Sequence, residues 1–175
     1  MINDISGGQY DPLLAAVAAE QGAALVLVHT RGRSASMYSE AEYDDLLADV
    51  VTELQSSIAA ARACGVPWEQ IIVDPGIGFA KRAAHSYGVL AGLPDLAAAL
   101  DRPVLVGPSR KSFMKAAAGP RPATERDWGT AAAVTAAVLN GAHIVRVHAV
   151  ADMLQVVRVA EEIRAAAGRL CDQTC

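Results

Sequence analysis

Ile71-Ile72-Val73-Asp74-Pro75-Gly76-Ile77-Gly78-Phe79 is the stretch whose reading decides the fold. Its first residues are β-branched and apolar without alternation, the pattern of a strand buried on both faces in a parallel sheet. Asp74 closes the strand, Pro75 removes a backbone donor, and Gly76 and Gly78 let the following turn pass close to a ligand. Four further runs of the same kind stand elsewhere: MIN at 1–3, ALVLVHT at 24–30, RPVLVG at 102–107 and HIVRVH at 143–148. Helix-length stretches lie between and after them, from Pro12 to Gln21, Glu40 to Cys64, Ala83 to Leu100, Thr130 to Leu139 and Ala151 to Ala167. These are rich in Ala, Leu, Glu and Arg, and Gly65 and Gly168 stand where helix stops belong. The order βαβαβαβαβα predicts an α/β fold with a parallel sheet and right-handed crossovers. One domain is expected over residues 1–168, followed by a C-terminal tail at 169–175.

The 175 residues are 53% hydrophobic and 19% charged, enough for one sizeable core and unlike a disordered composition. A net charge of -4 offers no sequence-independent attraction to nucleic acid or to an anionic membrane, so small-molecule partners are expected. No apolar run approaches the ~18 residues of a spanning helix, and MINDISGG lacks the basic-then-apolar order of a secretory leader. The cytoplasm is the expected compartment. Cys64, Cys171 and Cys175 have no zinc-type spacing and read as free thiols, and no His, Asp or Cys set shows metal-ligand spacing.

Every apolar run is closed by polar chemistry: Asn3-Asp4, His29, Asp74, the turn Gly107-Pro108-Ser109-Arg110-Lys111, and Arg146 with His148. In (β/α) barrels the loops at the C-terminal strand ends build the active site, so residues distant in sequence converge on one mouth. A buried Asp74 carboxylate suits a ligand with two adjacent N–H donors, such as a 2-amino-4-oxopyrimidine edge; Asp before Pro is also a common turn former. The 107–111 turn places two cations and a hydroxyl at a helix start, an anion-attracting arrangement, or else a solvated basic turn. It lacks the spacing of a nucleotide-binding P-loop. Strand alternation puts Arg146 and His148 on one face, able to grip a phosphate or to form an ion pair tying the mouth together. His29 is as readily a satisfied structural group as a functional one, and His85, in a helical stretch, is expected at the surface.

The strings INDISGG, DPGIGF followed by Lys81, GPSRKSF, and RDWGTAAA through GAHIVRVH resemble the signature blocks of the dihydropteroate synthase family, in family order and spacing, up to about Ala166. The resemblance implies part of a (β/α)8 barrel, about five βα units corresponding to family strands 4 to 8. It implies an enzyme of folate biosynthesis that joins p-aminobenzoate to 6-hydroxymethyl-7,8-dihydropterin pyrophosphate, with help from Mg2+, as a homodimer. Carried onto matching positions, Asn3 and Asp74 would hydrogen-bond the pterin, with Lys111 beside it, and Gly107 would be among the substrate-binding residues. Arg146 and His148 would hold the pyrophosphate, Phe79 and Lys111 would flank the aminobenzoate ring, and Ser112 would meet its carboxylate. Lys111, Arg146 and His148 would be the catalytic residues.

Ala149 stands where the family has Asp, Val28 and Thr30 flank His29 where Met is usual, and Pro108 replaces a small residue. The resemblance also starts at the family's fourth strand. The first three βα units, with their mobile loops, a metal-binding Asn and one pterin-binding Asp, would then lie outside the chain, and Met1 would be an internal methionine of a longer frame. The alternatives are a non-catalytic pterin-binding fragment and the related pterin domains of folate-dependent methyltransferases.

Overall fold

The computed structural model describes residues 1–33 and 35–172. Five short strands, β1 (Ile2–Asp4), β2 (Leu25–Val28), β3 (Ile71–Asp74), β4 (Leu105–Val106) and β5 (Ile144–Val145), each lead into helical structure. β1, β2 and β3 pair in parallel in that order, as do β4 and β5, and a parallel bridge between Val73 and Val104 joins the two groups. The chain is thus α/β with parallel strands.

Five flat strands spaced about 4.8 Å apart would hold β1 and β5 some 19 Å from each other, beyond the reach of paired side chains. Yet Arg146, just past β5, donates to Asn3 Oδ1 on β1 at 2.9 Å. The sheet must therefore curve so that the C-terminal strand ends face one another. Side-chain alternation builds the two faces of this arc. Leu25, Leu27, Ile71, Val73, Val104 and Val106 pack outward against the helices. Val26, Val28, Ile72 and Leu105 pack on the concave side with Ile144 and Phe79. Burial on both faces is what lets these runs be continuously apolar.

The helices are α1 (Leu14–Glu20), α2 (Leu46–Ala63), α3 (Ala83–Ala91), α4 (Leu93–Leu100), α5 (Lys115–Ala118), α6 (Asp127–Leu139) and α7 (Val150–Asp172). Several bounds differ from expectation. The 40–64 stretch becomes helical only at Leu46, because Asp45 is extended and its carboxylate caps the Ala48 amide. The 83–100 stretch breaks at Gly92, and Pro94, which has no amide to donate, sits in the first turn of α4. Gly65 follows α2 with φ +93°, as a stop signal should. Gly168 does not stop α7, which runs through the expected domain–tail boundary to Asp172. Cys64 is exposed and free; Cys175 and the side chain of Cys171 lie outside the described residues. No helix among the described residues is long and apolar enough to cross a membrane.

Candidate functional site

Asp74 ends β3 completely buried. Its Oδ1 accepts from the Gly76 amide at 2.8 Å, which closes the turn. Its Oδ2 lies 2.9 Å from Arg146 Nη1 in an ion pair. Burial is the largest influence on this carboxyl and pushes its pKa up, with Arg146, the Gly76 amide and Lys111 pulling the other way. Gly76 adopts φ +71°, and a Cβ there would stand 1.9 Å from the carbonyl oxygen of His29. Only glycine lets the turn after Asp74 fold back onto the end of β2.

Arg146 is the centre of the mouth, bridging Asn3 Oδ1 and Asp74 Oδ2 through one nitrogen. The ion pair considered for this residue is therefore present, and its partner is the buried carboxylate itself. The guanidinium lies across Gly107, where a Cβ would come within 2.5 Å of Nη2. His148 is engaged by Ser109: the hydroxyl lies 2.9 Å from His148 Nδ1 and accepts from the His148 amide at 3.2 Å. Gly107, Ser109, Lys111, Arg146 and His148 nevertheless line one cavity of about 180 Å³. A cleft of about 480 Å³ beside α3 and α6 is larger but apolar, without a charged side chain. Size alone does not locate the chemistry.

The two cations of the 109–111 turn part company. Arg110 grips Asp127 at 2.8 and 2.7 Å, and its amide donates to Thr130 Oγ1, fastening the turn to α6. Lys111 turns inward, donating to the Ile77 carbonyl at 2.8 Å with Nζ 3.9 Å from the centre of the Phe79 ring. Burial draws the Lys111 ammonium down to about 8, with Asp74 opposing. Phe79 and Lys111 thus touch directly. Ser112 is exposed at the start of a 3-10 turn, Ser112–Met114. Asp4, by contrast, serves its own turn, accepting from the Ser6 amide and hydroxyl and from the Gly8 amide.

One residue escaped functional assignment from sequence. Lys81 is 2% exposed, and its Nζ contacts His29 Nδ1 at 2.7 Å and the Phe79 carbonyl at 3.3 Å. Burial draws its ammonium down to about 7, Asp74 and Glu53 opposing. His29 is buried between Lys81 and Glu53, and burial also lowers its pKa. The signal in the sequence was a Lys closing the glycine turn that follows a strand-end Asp. His85 is half-buried rather than at the surface, with its ring edge-on to Tyr43 at 5.0 Å.

Fold and site together define an α/β enzyme-type domain of parallel strands, whose strand ends surround a buried carboxylate with cations. The family model described as "Pterin binding enzyme" matches residues 1–148, and the chain belongs to that family. The dihydropteroate synthase of Synechocystis is 44% identical over 163 residues, which cover 93% of this chain and 56% of that protein. The dihydropteroate synthase of Mycobacterium leprae is 39% identical, covering 91% and 58% respectively. Among solved structures, the Yersinia pestis dihydropteroate synthase with a sulfonamide drug complex superposes with a TM-score of 0.88 at 34% identity, covering 94% of this chain and 58% of that one. The Thermus thermophilus dihydropteroate synthase in complex with 6HMPPP gives 0.84 at 35% identity, covering 91% and 62%. The chain spans a little over half the length of the curated synthases it matches.

Proposed function

We propose that this chain forms the pterin-binding side of a dihydropteroate synthase-type transferase of folate biosynthesis. It would supply five βα units of a (β/α)8 barrel, family strands 4 to 8. The reaction would condense 6-hydroxymethyl-7,8-dihydropterin pyrophosphate with p-aminobenzoate to give 7,8-dihydropteroate and pyrophosphate. The observation that carries this reading is Asp74, a fully buried strand-end carboxylate whose Oδ2 is met by the partly exposed Arg146 guanidinium. A buried carboxylate is costly to leave unpaired, and the paired N–H groups of a pterin would take over from Arg146 in satisfying this one. Asn3 offers a second acceptor.

For Asp74 and Asn3 to take the ring, the Arg146 guanidinium must leave them and swing toward the leaving group, where Lys111 and His148 add positive charge. The aryl amine is already a nucleophile, so catalysis consists mainly in stabilising the departing pyrophosphate and orienting the amine against the pterin methylene. Phe79 and Lys111 part to admit the aminobenzoate ring, and Ser112 meets its carboxylate. The described residues contain no group of three His, Cys, Asp or Glu able to hold a metal, and the mouth is cationic. The family resemblance puts the usual Mg2+ ligand in the part of the barrel outside this chain, and no step is assigned to the ion. The reading includes small-molecule substrates without nucleic acid or membrane, a cytoplasmic setting and a homodimeric assembly.

The test measures pterin affinity and dihydropteroate formation separately. Binding without turnover identifies a pterin-binding fragment, turnover identifies a synthase, and absence of both removes the reading. Arg146→Lys should weaken binding of the pyrophosphorylated pterin by about tenfold or more, because a point charge replaces a planar fork. Plain hydroxymethylpterin should lose much less. Equal losses for the two ligands would take Arg146 out of the pyrophosphate role.

A further inference from the structure

The bulkiest side chain that the described residues bury almost completely is a lysine, and nothing in the mechanism above uses it. An ammonium can only donate, so the 2.7 Å contact from Lys81 Nζ makes His29 Nδ1 the acceptor. The His29 proton then sits on Nε2 and points to Glu53 Oε2 at 3.1 Å. Glu53 in turn accepts from Arg31 Nε at 2.9 Å, and Arg31 pairs with Asp49 at 3.0 Å and stacks over Tyr43 at 4.1 Å. A continuous polar chain thus runs from α2, through the end of β2, to the loop that follows Asp74.

That loop depends on side chains. Gly76, Gly78 and Ala80 have φ of +71°, +75° and +45°, so no regular ladder forms. Instead Ile77 O accepts from Lys111, Gly78 O from Tyr38, Phe79 O from Lys81 and Ala80 O from Tyr43. Lys81 is the buried member of this set and the one that ties the loop to the His29–Glu53 pair. Burying an ammonium is expensive, and a hydrocarbon chain of the same length would fill the space at less cost. The charged and titratable groups around it are His29, Asp74, Glu53, Arg31, Tyr43, Lys111 and His85.

We propose that Lys81 is a positioning residue for the ligand site, its ammonium pinning the 74–81 loop to the His29–Glu53 pair so that Asp74 and Phe79 are held where the ligand meets them. The ligand named here rests on the pterin reading; the pin itself does not.

The test uses the 175-residue chain, with 6-hydroxymethylpterin as the probe at pH 6.5, and compares the unsubstituted chain with Lys81→Met and Glu53→Ala. Lys81→Met should weaken the probe by about tenfold. It should also speed hydrogen exchange of the Gly76 and Phe79 amides, which close the loop on Asp74 Oδ1 and Gly76 O, while leaving α6 amides unchanged. Glu53→Ala should act in the same direction and less strongly. Nitrogen NMR of the unsubstituted chain should find the His29 proton on Nε2. Unchanged loop exchange, equal acceleration throughout the molecule, or a His29 proton on Nδ1 overturns the proposal. So does an unchanged probe affinity in Lys81→Met. If Lys81→Met does not fold, Glu53→Ala, at the partly exposed end of the same chain of contacts, decides by the same exchange criterion. If the unsubstituted chain does not bind the probe, the pterin reading fails, and the exchange comparison judges the pin alone.

Discussion

Asp74 and Arg146 hold each other in a compromise that a ligand can resolve. The carboxylate is fully buried and its pKa is raised, while its ion-pair partner is 37% exposed and can turn away. Asp74→Ala should cost about 2–4 kcal/mol of pterin binding, since a charged acceptor in a dry site is lost. Unchanged affinity in a calorimetric titration would remove Asp74 from the site. The same residue should burden the free fold. A carboxyl whose folded pKa lies above its unfolded value contributes stability only at low pH and loses it as pH rises through the folded pKa. Asp74→Asn should therefore raise the urea midpoint of the ligand-free chain at pH 7; a lowered midpoint would mean that the Arg146 pair outweighs burial. Lys81 behaves oppositely in pH. Its folded pKa is depressed to about 7. Above that value the unfolded chain binds more protons than the folded one, until the lysine's ordinary ~10.4 is reached. The unsubstituted chain should gain stability relative to Lys81→Met between about pH 7 and 10, and a flat difference in urea unfolding would contradict the burial of the ammonium.

At the scale of elements, the site is placed by where strands end and helices begin. α2 carries Asp49 and Glu53 toward the end of β2, and its start is fixed by the Asp45 cap on the Ala48 amide at 3.1 Å. Asp45→Ala should cost about 1 kcal/mol in chemical denaturation, typical of a lost N-cap. It should loosen the first turn of α2 in hydrogen exchange before it affects the sheet. The sequence pattern overran this start because Ala41, Tyr43, Leu46 and Leu47 continue an apolar spacing. Ala41 is buried and Tyr43 half-buried in a non-helical loop, where Tyr43 holds the Ala80 carbonyl. Periodicity reports burial, and burial does not require a helix. The break at Gly92-Leu93-Pro94 was missed in reading 83–100 as one stretch, although a proline two residues after a glycine is a signal that interrupts a helical ladder. The run-on of α7 through Gly168 had no such signal, because one glycine costs a helix only about 1 kcal/mol and neighbouring Ala and Arg outweigh it.

For the whole molecule, the described residues form an arc with two outer edges. β1 pairs only with β2, and β5 only with β4, among the described residues. Leu154 and Ile163 of α7 are 46% and 51% exposed, and Leu13 and Val17 at α1 are 68% and 46% exposed. Strand edges beside apolar helix faces favour association. The purified 175-residue chain should therefore self-associate, with an apparent mass in light scattering that rises with concentration, and Leu154→Glu should reduce the effect. It should also show no synthase turnover by itself: each ~1.4 kcal/mol of missing transition-state stabilisation removes tenfold in rate, and the chain spans 56% of the Synechocystis synthase. A concentration-independent monomer with enzyme-like turnover would contradict both expectations.

The order of strands and helices, the parallel α/β class, the residues that end each strand, and the family were all legible in the linear chain. These follow from local pattern: apolar runs long enough to pair, glycine and proline at their ends, and motifs whose spacing is carried by the chain. Which strand-end groups face which was not legible there. Arg110 and Lys111 are adjacent and alike in charge, yet one is spent on Asp127 and the other enters the site. Arg146 and Asn3 are 143 positions apart and meet only because the sheet curves. In sequence Lys81 stands in a signature block without a role, and it becomes a buried donor because the 74–81 loop folds back over His29. Partner choice among polar groups depends on distances of a few ångströms set by the packing of the whole arc, and those distances exist only once the chain has folded.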